Sequence, residues 1–405
     1  MPKVNVQTFS RRLPFMFWSA SSNRRHLEAL VRTSYVPALA GIAALALLSA
    51  GCSSSSSSGS GGYNWSNATS AASGGGMAAL VKAAKAEGTL NVIALPADWA
   101  NYGTIIKDFT AKYGIKVNSI APTDSSAQEV TQIQQKKGTS LAADVLDVGG
   151  SVAAVSTTLF APYKVATWSS IPAALKNADG LYTGDYGGYM SVGYDSAKFG
   201  TITSLSQLLG PKFKHAVALD GNPTQAAAAF SGVLMASLAN GGSASEIAPG
   251  VSFFHKLSQA GNFNTVQATS DTIKTGATPV VFNWDYLNSA SVVGQPAATW
   301  KLFIPSNAVL GGFYYQAINK NAPHPAAARL WEEFLFSQGA VGGQNLWLEG
   351  GARPSEQIAM TSNGSIDKAA AAALPAVAGT PVIPTQAQNT TAADYLSANW
   401  AKAVS

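Results

Sequence analysis

The chain has 405 residues, of which 47% are hydrophobic and only 12% charged. That length exceeds one ordinary domain and suits two lobes of roughly 150 residues each. The formal charge of +5 comes from the N-terminus: six of the 26 Lys/Arg and one of the 21 acids precede Cys52, leaving 20 of each after it. A neutral remainder offers no broad positive field, so nucleic acid and other polyanions are not expected partners.

The first element is an apolar run, "VPALAGIAALALLSA", from Val36 to Ala50. It is short for a permanent membrane span and right for a signal-peptide core. Ser49, Ala50, Gly51 and then Cys52 follow, which resembles the lipobox of bacterial lipoproteins, with Ser49 where leucine is usual and Leu48 one place back. The resemblance implies that residues 1–51 are a leader, that Cys52 carries lipid, and that the protein is exported and held at the outer face of the cytoplasmic membrane or in the periplasm. Residues 52–76, rich in Ser and Gly, read as a flexible tether. Cys52 is the only cysteine, so no disulfide and no thiol chemistry is expected.

Beyond the tether, strands and helices alternate. "MAALVKAAKAEG" reads as a helix stopped by Gly88, "TLNVIAL" as a buried strand, and "WANYGTIIKDFTAKYG" as an amphipathic helix stopped by Gly114. "IKVNSIAP" (strand), "SSAQEVTQIQQKK" (helix) and "ADVLDVGG" (strand) continue the alternation, which pauses near "GYMSVGYDSAKFG". It resumes with strand "HAVAL", a long helix from Pro223, a helix over 247–260, strand "ATPVVFN", two strands in "WKLFIPSN" and "GGFYYQAINKN", and two closing helices. The tail from Ala369 is weakly specified. This order predicts an α/β fold with parallel sheet covered on both faces.

Five stretches in sequence, "LNVIALPADWANYGTIIKDFTAKYGIKV", "ADVLDVG", "GGYMSVGYDSAKF", "TPVVFNWDYLNSA" and "GGFYYQAINKNAPHPAAARLWEEFLFSQGAV", carry a family pattern. The chain resembles the extracellular solute-binding proteins of ABC importers, in the branch with iron(III)-, polyamine- and aminoethylphosphonate-binding members. The resemblance covers about Gly88 to Pro354. It implies a two-lobed periplasmic-binding-protein-like fold of type II, each lobe a mixed sheet flanked by helices and joined by hinge strands. The expected division is 77–195 and 298–345 for the first lobe, and 196–297 and 346–405 for the second lobe and tail. It also implies a monomer that binds a small-molecule solute and delivers it to an ABC permease.

Ligand contacts are expected at the strand ends, where loops and helix N-termini offer free N–H groups. After the first strand stand Asp98, Trp99 and Tyr102; Asp98 is equally a helix cap and Trp99 a core staple. After the third stand Gly150 and Ser151, and in "LDGNPTQAA" Asn222, Thr224 and Gln225. The stretch "FNWDYLN" contributes Trp284, Asp285 and Tyr286, because an aspartate there needs a partner if buried. In iron-binding relatives this place carries a tyrosine pair; here Trp284 and Asp285 stand in it. Four histidines without metal-like spacing add no iron site, so no metal and no cofactor is expected. A tryptophan face beside a carboxylate suits an organic cation. Tyr314 and Tyr315 follow on the returning strand, where alternation sends one of them to the core. Trp331 and Trp347 read as packing residues.

The expectation is a binding protein for a small polar solute, one that bears an amine, and not an enzyme. A ferric-ion or anion binder and a sensory or surface module without a transporter are the alternatives. A hydrolase is the weakest, since neither "GGSVA" at 149–153 nor "GGSAS" at 241–245 makes a nucleophile elbow.

Overall fold

A computed structural model describes residues 63–289 and 291–405. The leader and Cys52 lie outside the described residues. Within them the strands are β1 (Thr89–Ile93), β2 (Lys116–Ile120), β3 (Val145–Gly149), β4 (Phe160–Ala161), β5 (Thr183–Asp195), β6 (Val217–Leu219), β7 (Val280–Trp284), β8 (Trp300–Phe303), β9 (Gly311–Asn319) and β10 (Arg353–Pro354).

The hydrogen-bonded order is β2-β1-β3-β9-β5-β7-β6. β1 runs parallel to β2 and β3, and β6 parallel to β7; β9 is antiparallel to β3, and β5 to both β9 and β7. Thr89 to Ile93 are buried except at the first residue, and Val145 to Gly149 and Val280 to Trp284 are buried throughout. Strands covered on both faces need such unbroken apolar runs.

β5 joins the two halves of the sheet. Its residues 183–189 pair with β9, and residues 190–195 pair with β7 and β8. The alternation expected to pause here is instead one thirteen-residue strand. Glycines conceal it, since they have low strand propensity. Gly188 is needed for close approach: a Cβ there would lie 2.4 Å from Asp285 Oδ1.

Helices cover the sheet. Helix Ala227–Ala239 is buried nearly all round, against β5, β7 and helix Ala248–Gln259. It begins at Ala227 rather than near Pro223, because Asn222 Oδ1 accepts from the backbone N–H of Thr224 and holds that segment in a turn. Helix Met77–Glu87 packs on helix Pro325–Leu335, whose first N–H groups (Ala326 and Ala327) donate to the Glu87 carboxylate. Trp331 and Trp347 are fully buried, in keeping with packing.

Two segments read as loose are packed. Trp65 and Ala68 are buried, and the guanidinium of buried Arg329 donates to the carbonyls of Ser66 and Ala68. The body therefore starts by Trp65, not at Met77. The tail forms helix Gln386–Val404, capped by Thr385 with Gln388, with Ala392, Leu396 and Trp400 facing inward. Among the described residues no helix is long and apolar enough to cross a membrane.

Candidate functional site

The segments that leave β1, β2, β6 and β7, together with β3 itself, line a cavity of about 320 Å³. That size falls within the range of small-molecule sites. Asp98 and Trp99 follow β1, Ser125 and Glu129 follow β2, and Asp147 comes from β3 itself. Asp220 follows β6, Asn283 ends β7, and Asp271 and Lys274 belong to the short helix Ser270–Lys274. Tyr314 of β9 completes the wall, and Asp124 sits at its rim beside Ser125.

Charge in this cavity is one-sided. Six carboxyl side chains line it, from Asp98, Asp124, Glu129, Asp147, Asp220 and Asp271, against one lysine, Lys274. Among the described residues none of the six is in an ion pair; the two pairs present are His324 with Asp144 and Arg353 with Asp285.

The inner wall is built around Asp147. Trp99 Nε1 donates to the Tyr186 hydroxyl at 2.6 Å, and that hydroxyl donates to Asp147 Oδ2 at 2.7 Å. The backbone N–H of Asp147 donates to Glu129 Oε2 at 3.0 Å. Asp147 Oδ1 is buried without a partner. Burial pushes the carboxyls of Glu129 and Asp147 up, the Asp147 charge adding to the effect on Glu129, while the hydrogen bond from Tyr186, and less strongly the nearby polar groups of Tyr102 and Gln316, pull Asp147 back. Asp220 is raised to about 6 by desolvation, against hydrogen bonds from Gln267 and Asn283.

Aromatic rings form the adjoining face. Tyr314 meets Trp99 edge-on at 5.5 Å and stacks on Tyr186 at 5.8 Å. Such contacts hold ring positions more tightly than area burial alone. At the mouth, Ser270 donates to Asp98 Oδ2.

Of the residues expected to contact ligand, Asp98, Trp99 and Tyr314 line this cavity. Gly150, Ser151, Trp284 and Tyr315 instead line a second, smaller one of about 60 Å³, which Tyr314 also borders. That space suits a few waters rather than an organic solute. Tyr102 is buried with Ile105 and Phe109 on the core face of its helix, its hydroxyl accepting from Gln316. Asn222, Thr224 and Gln225 are exposed, with Asn222 turned onto Thr224, and line neither cavity.

Asp285 is the main correction. It is fully buried, but its Oδ2 takes Arg353 Nη1 at 2.5 Å, and its Oδ1 accepts the N–H groups of Tyr189 and Tyr286. Both oxygens already have partners inside the protein, and Asp285 lines neither cavity. Tyr286 is buried beside it and also lines neither cavity. The residues that sequence reasoning missed are Glu129, Asp147, Asp220 and Asn283. Asp147 left one signal: a carboxylate in the middle of the apolar strand β3 has to be accounted for when buried.

The family model for bacterial extracellular solute-binding proteins matches residues 149–372. The chain belongs to that family. Solved structures agree on the fold, which is the two-lobed type II periplasmic-binding-protein fold. AfuA from Actinobacillus pleuropneumoniae, with exogenous fructose-6-phosphate bound, is 14% identical over 77% of this chain and 98% of its own, with a TM-score of 0.57. A putative spermidine/putrescine ABC transporter protein from Listeria monocytogenes is 13% identical over 78% and 99%, with a TM-score of 0.57. Iron-bound HitA from Pseudomonas aeruginosa is 20% identical over 76% and 97%, with a TM-score of 0.55. No curated protein sequence matches the chain. The family is one of extracellular solute-binding proteins, and AfuA is a periplasmic binding protein with a small ligand bound.

Proposed function

We propose that this solute-binding protein captures a small amine-bearing organic solute in the cavity between the sheet halves and hands it to an ABC permease. The observation that carries the reading is the lining: six carboxyl groups, one lysine, and no ion pair among the described residues that neutralises them. A desolvated cation beside the rings of Trp99 and Tyr314 gains from ring quadrupoles as well as from countercharge. Among the described residues no three His, Cys, Asp or Glu side chains gather as a metal site. The amine class expected from Trp284 and Asp285 thus rests on other residues.

β5 and β9, the strands between the halves, are the hinge in this reading, with the lobe boundaries expected from the sequence except that the first lobe begins by Trp65. Ligand favours the closed form by binding it more tightly than the open one. Cys52 carries the lipid that keeps the monomer at the membrane, and no chemical step is assigned. A thermal-shift screen against amines, phosphonates, amino acids, sugars, sugar phosphates and ferric ion tests the ligand class. Stabilisation by amines alone is expected; stabilisation only by ferric ion or sugar phosphates overturns it. Cys52→Ser is expected to move the protein from the membrane to the soluble fraction.

A further inference from the structure

At the inner wall of the cavity two buried acidic residues meet, and one carboxyl oxygen there is left without a partner. Glu129 is 1% and Asp147 5% exposed, and both line the cavity. They are joined through the Asp147 N–H to Glu129 Oε2. Asp147 Oδ2 is taken by Tyr186, but Asp147 Oδ1 has no partner among the described residues. A buried acceptor without a donor costs about 1–3 kcal/mol, and a ligand N–H would relieve it.

The surroundings offer this pair no cation. The titratable groups that face it are Asp124, Tyr102, Asp185, Tyr186, Tyr286 and Tyr314, all acidic or neutral. Burial disfavours ionising both carboxyls, and the Asp147 charge further opposes that of Glu129, so the empty pair favours keeping a proton as pH falls. An arriving ammonium supplies the charge that the proton was supplying.

We propose that Glu129 and Asp147 form the seat of the ligand's ammonium group, and that filling it expels one proton to solvent. The exchange balances: a protonated carboxyl pair and an alkylammonium become an ionised pair holding that ammonium, plus a hydrogen ion in bulk water. Capture is then proton-linked, weaker in acid and tighter in base. Burial raises both carboxyls above their ordinary range, which brings the exchange toward neutral pH. This rests on the amine reading above and adds to it the position of the charge and its coupling to pH.

Calorimetry on the full-length protein, purified in detergent, tests it with putrescine, spermidine and ethanolamine as probes. Titrations at pH 6.5 in buffers of different ionisation enthalpy report protons released per ligand. A release approaching one proton is expected, with affinity rising by up to tenfold per pH unit between pH 5.5 and 7.5. Glu129→Gln and Asp147→Asn are each expected to lower both the release and the affinity. Binding with buffer-independent heat overturns the exchange and leaves the amine reading standing. No binding by any of the three probes overturns both. Full release retained in either folded variant overturns the seat. If both variants fail to fold, the wild-type buffer dependence decides the exchange alone.

Discussion

Ser270 Oγ donates a 2.7 Å hydrogen bond to Asp98 Oδ2, joining residues 172 positions apart across the cavity mouth. Asp98 follows β1 in one half of the sheet, and Ser270 opens the short helix before β7 in the other. The bond is exposed, so its net worth is about 1 kcal/mol. Ser270→Ala is expected to speed solute release roughly fivefold with little change in capture rate. Stopped-flow fluorescence, with Trp99 in the cavity wall as reporter, measures this. Equal release rates would show that the bond does not hold the mouth.

Asp285 and Arg353 predict the opposite division between stability and binding. Their ion pair is buried on the Asp285 side and mostly buried on the other. Removing one partner leaves the other charge without compensation, at about 3–5 kcal/mol. Asp285→Ala is expected to lower the denaturation midpoint substantially, while the folded fraction keeps its affinity. An unchanged midpoint in urea would refute this.

Acidity should stabilise the empty protein. Folding raises Asp220 from 3.8 to about 6 and Glu332 from 4.5 to about 8, both chiefly by desolvation. The native state therefore binds more protons than the unfolded chain between these values, and stability falls as pH rises through them. His324, raised first by its hydrogen bond to Asp144, acts in the same direction: its contribution is present below its ordinary value and is lost as pH passes the raised one. Thermal melts of the ligand-free protein are expected to give a higher Tm at pH 5 than at pH 8. The reverse order would contradict these shifts.

The C-terminal helix is structural. Trp400 packs against Phe254 at 5.5 Å and Phe263 at 5.9 Å, while Gln386 at the other end reaches the Ser151 carbonyl. The helix thus touches both helix Gly150–Val155 and helix Ala248–Gln259. Trp400→Ala is expected to cost about 3 kcal/mol, read from chemical denaturation. A change within about 0.5 kcal/mol would mark the helix as a passenger.

How much was legible before the structure differs by element. The β1, β3 and β7 runs announce themselves because double burial requires unbroken apolar residues. β5 did not, since its glycines serve close approach to Asp285 and Phe313 rather than strand propensity. The tail helix was legible in hindsight: Thr385 and Gln388 form a capping box, and Ala392, Leu396 and Trp400 recur every fourth residue. An alanine-rich background hid that stripe.

Sequence by itself determined the α/β order, the family and some of the loops that line the cavity, because periodicity and turn residues are local properties. Which side chains face the cavity was decided by the tertiary structure alone. Arg353 lies 68 residues from Asp285 and neutralises it, whereas Asp147 receives no cation. Burial and countercharge arise only when distant segments meet, so the same residue type becomes a structural pair in one place and an open acceptor in the other.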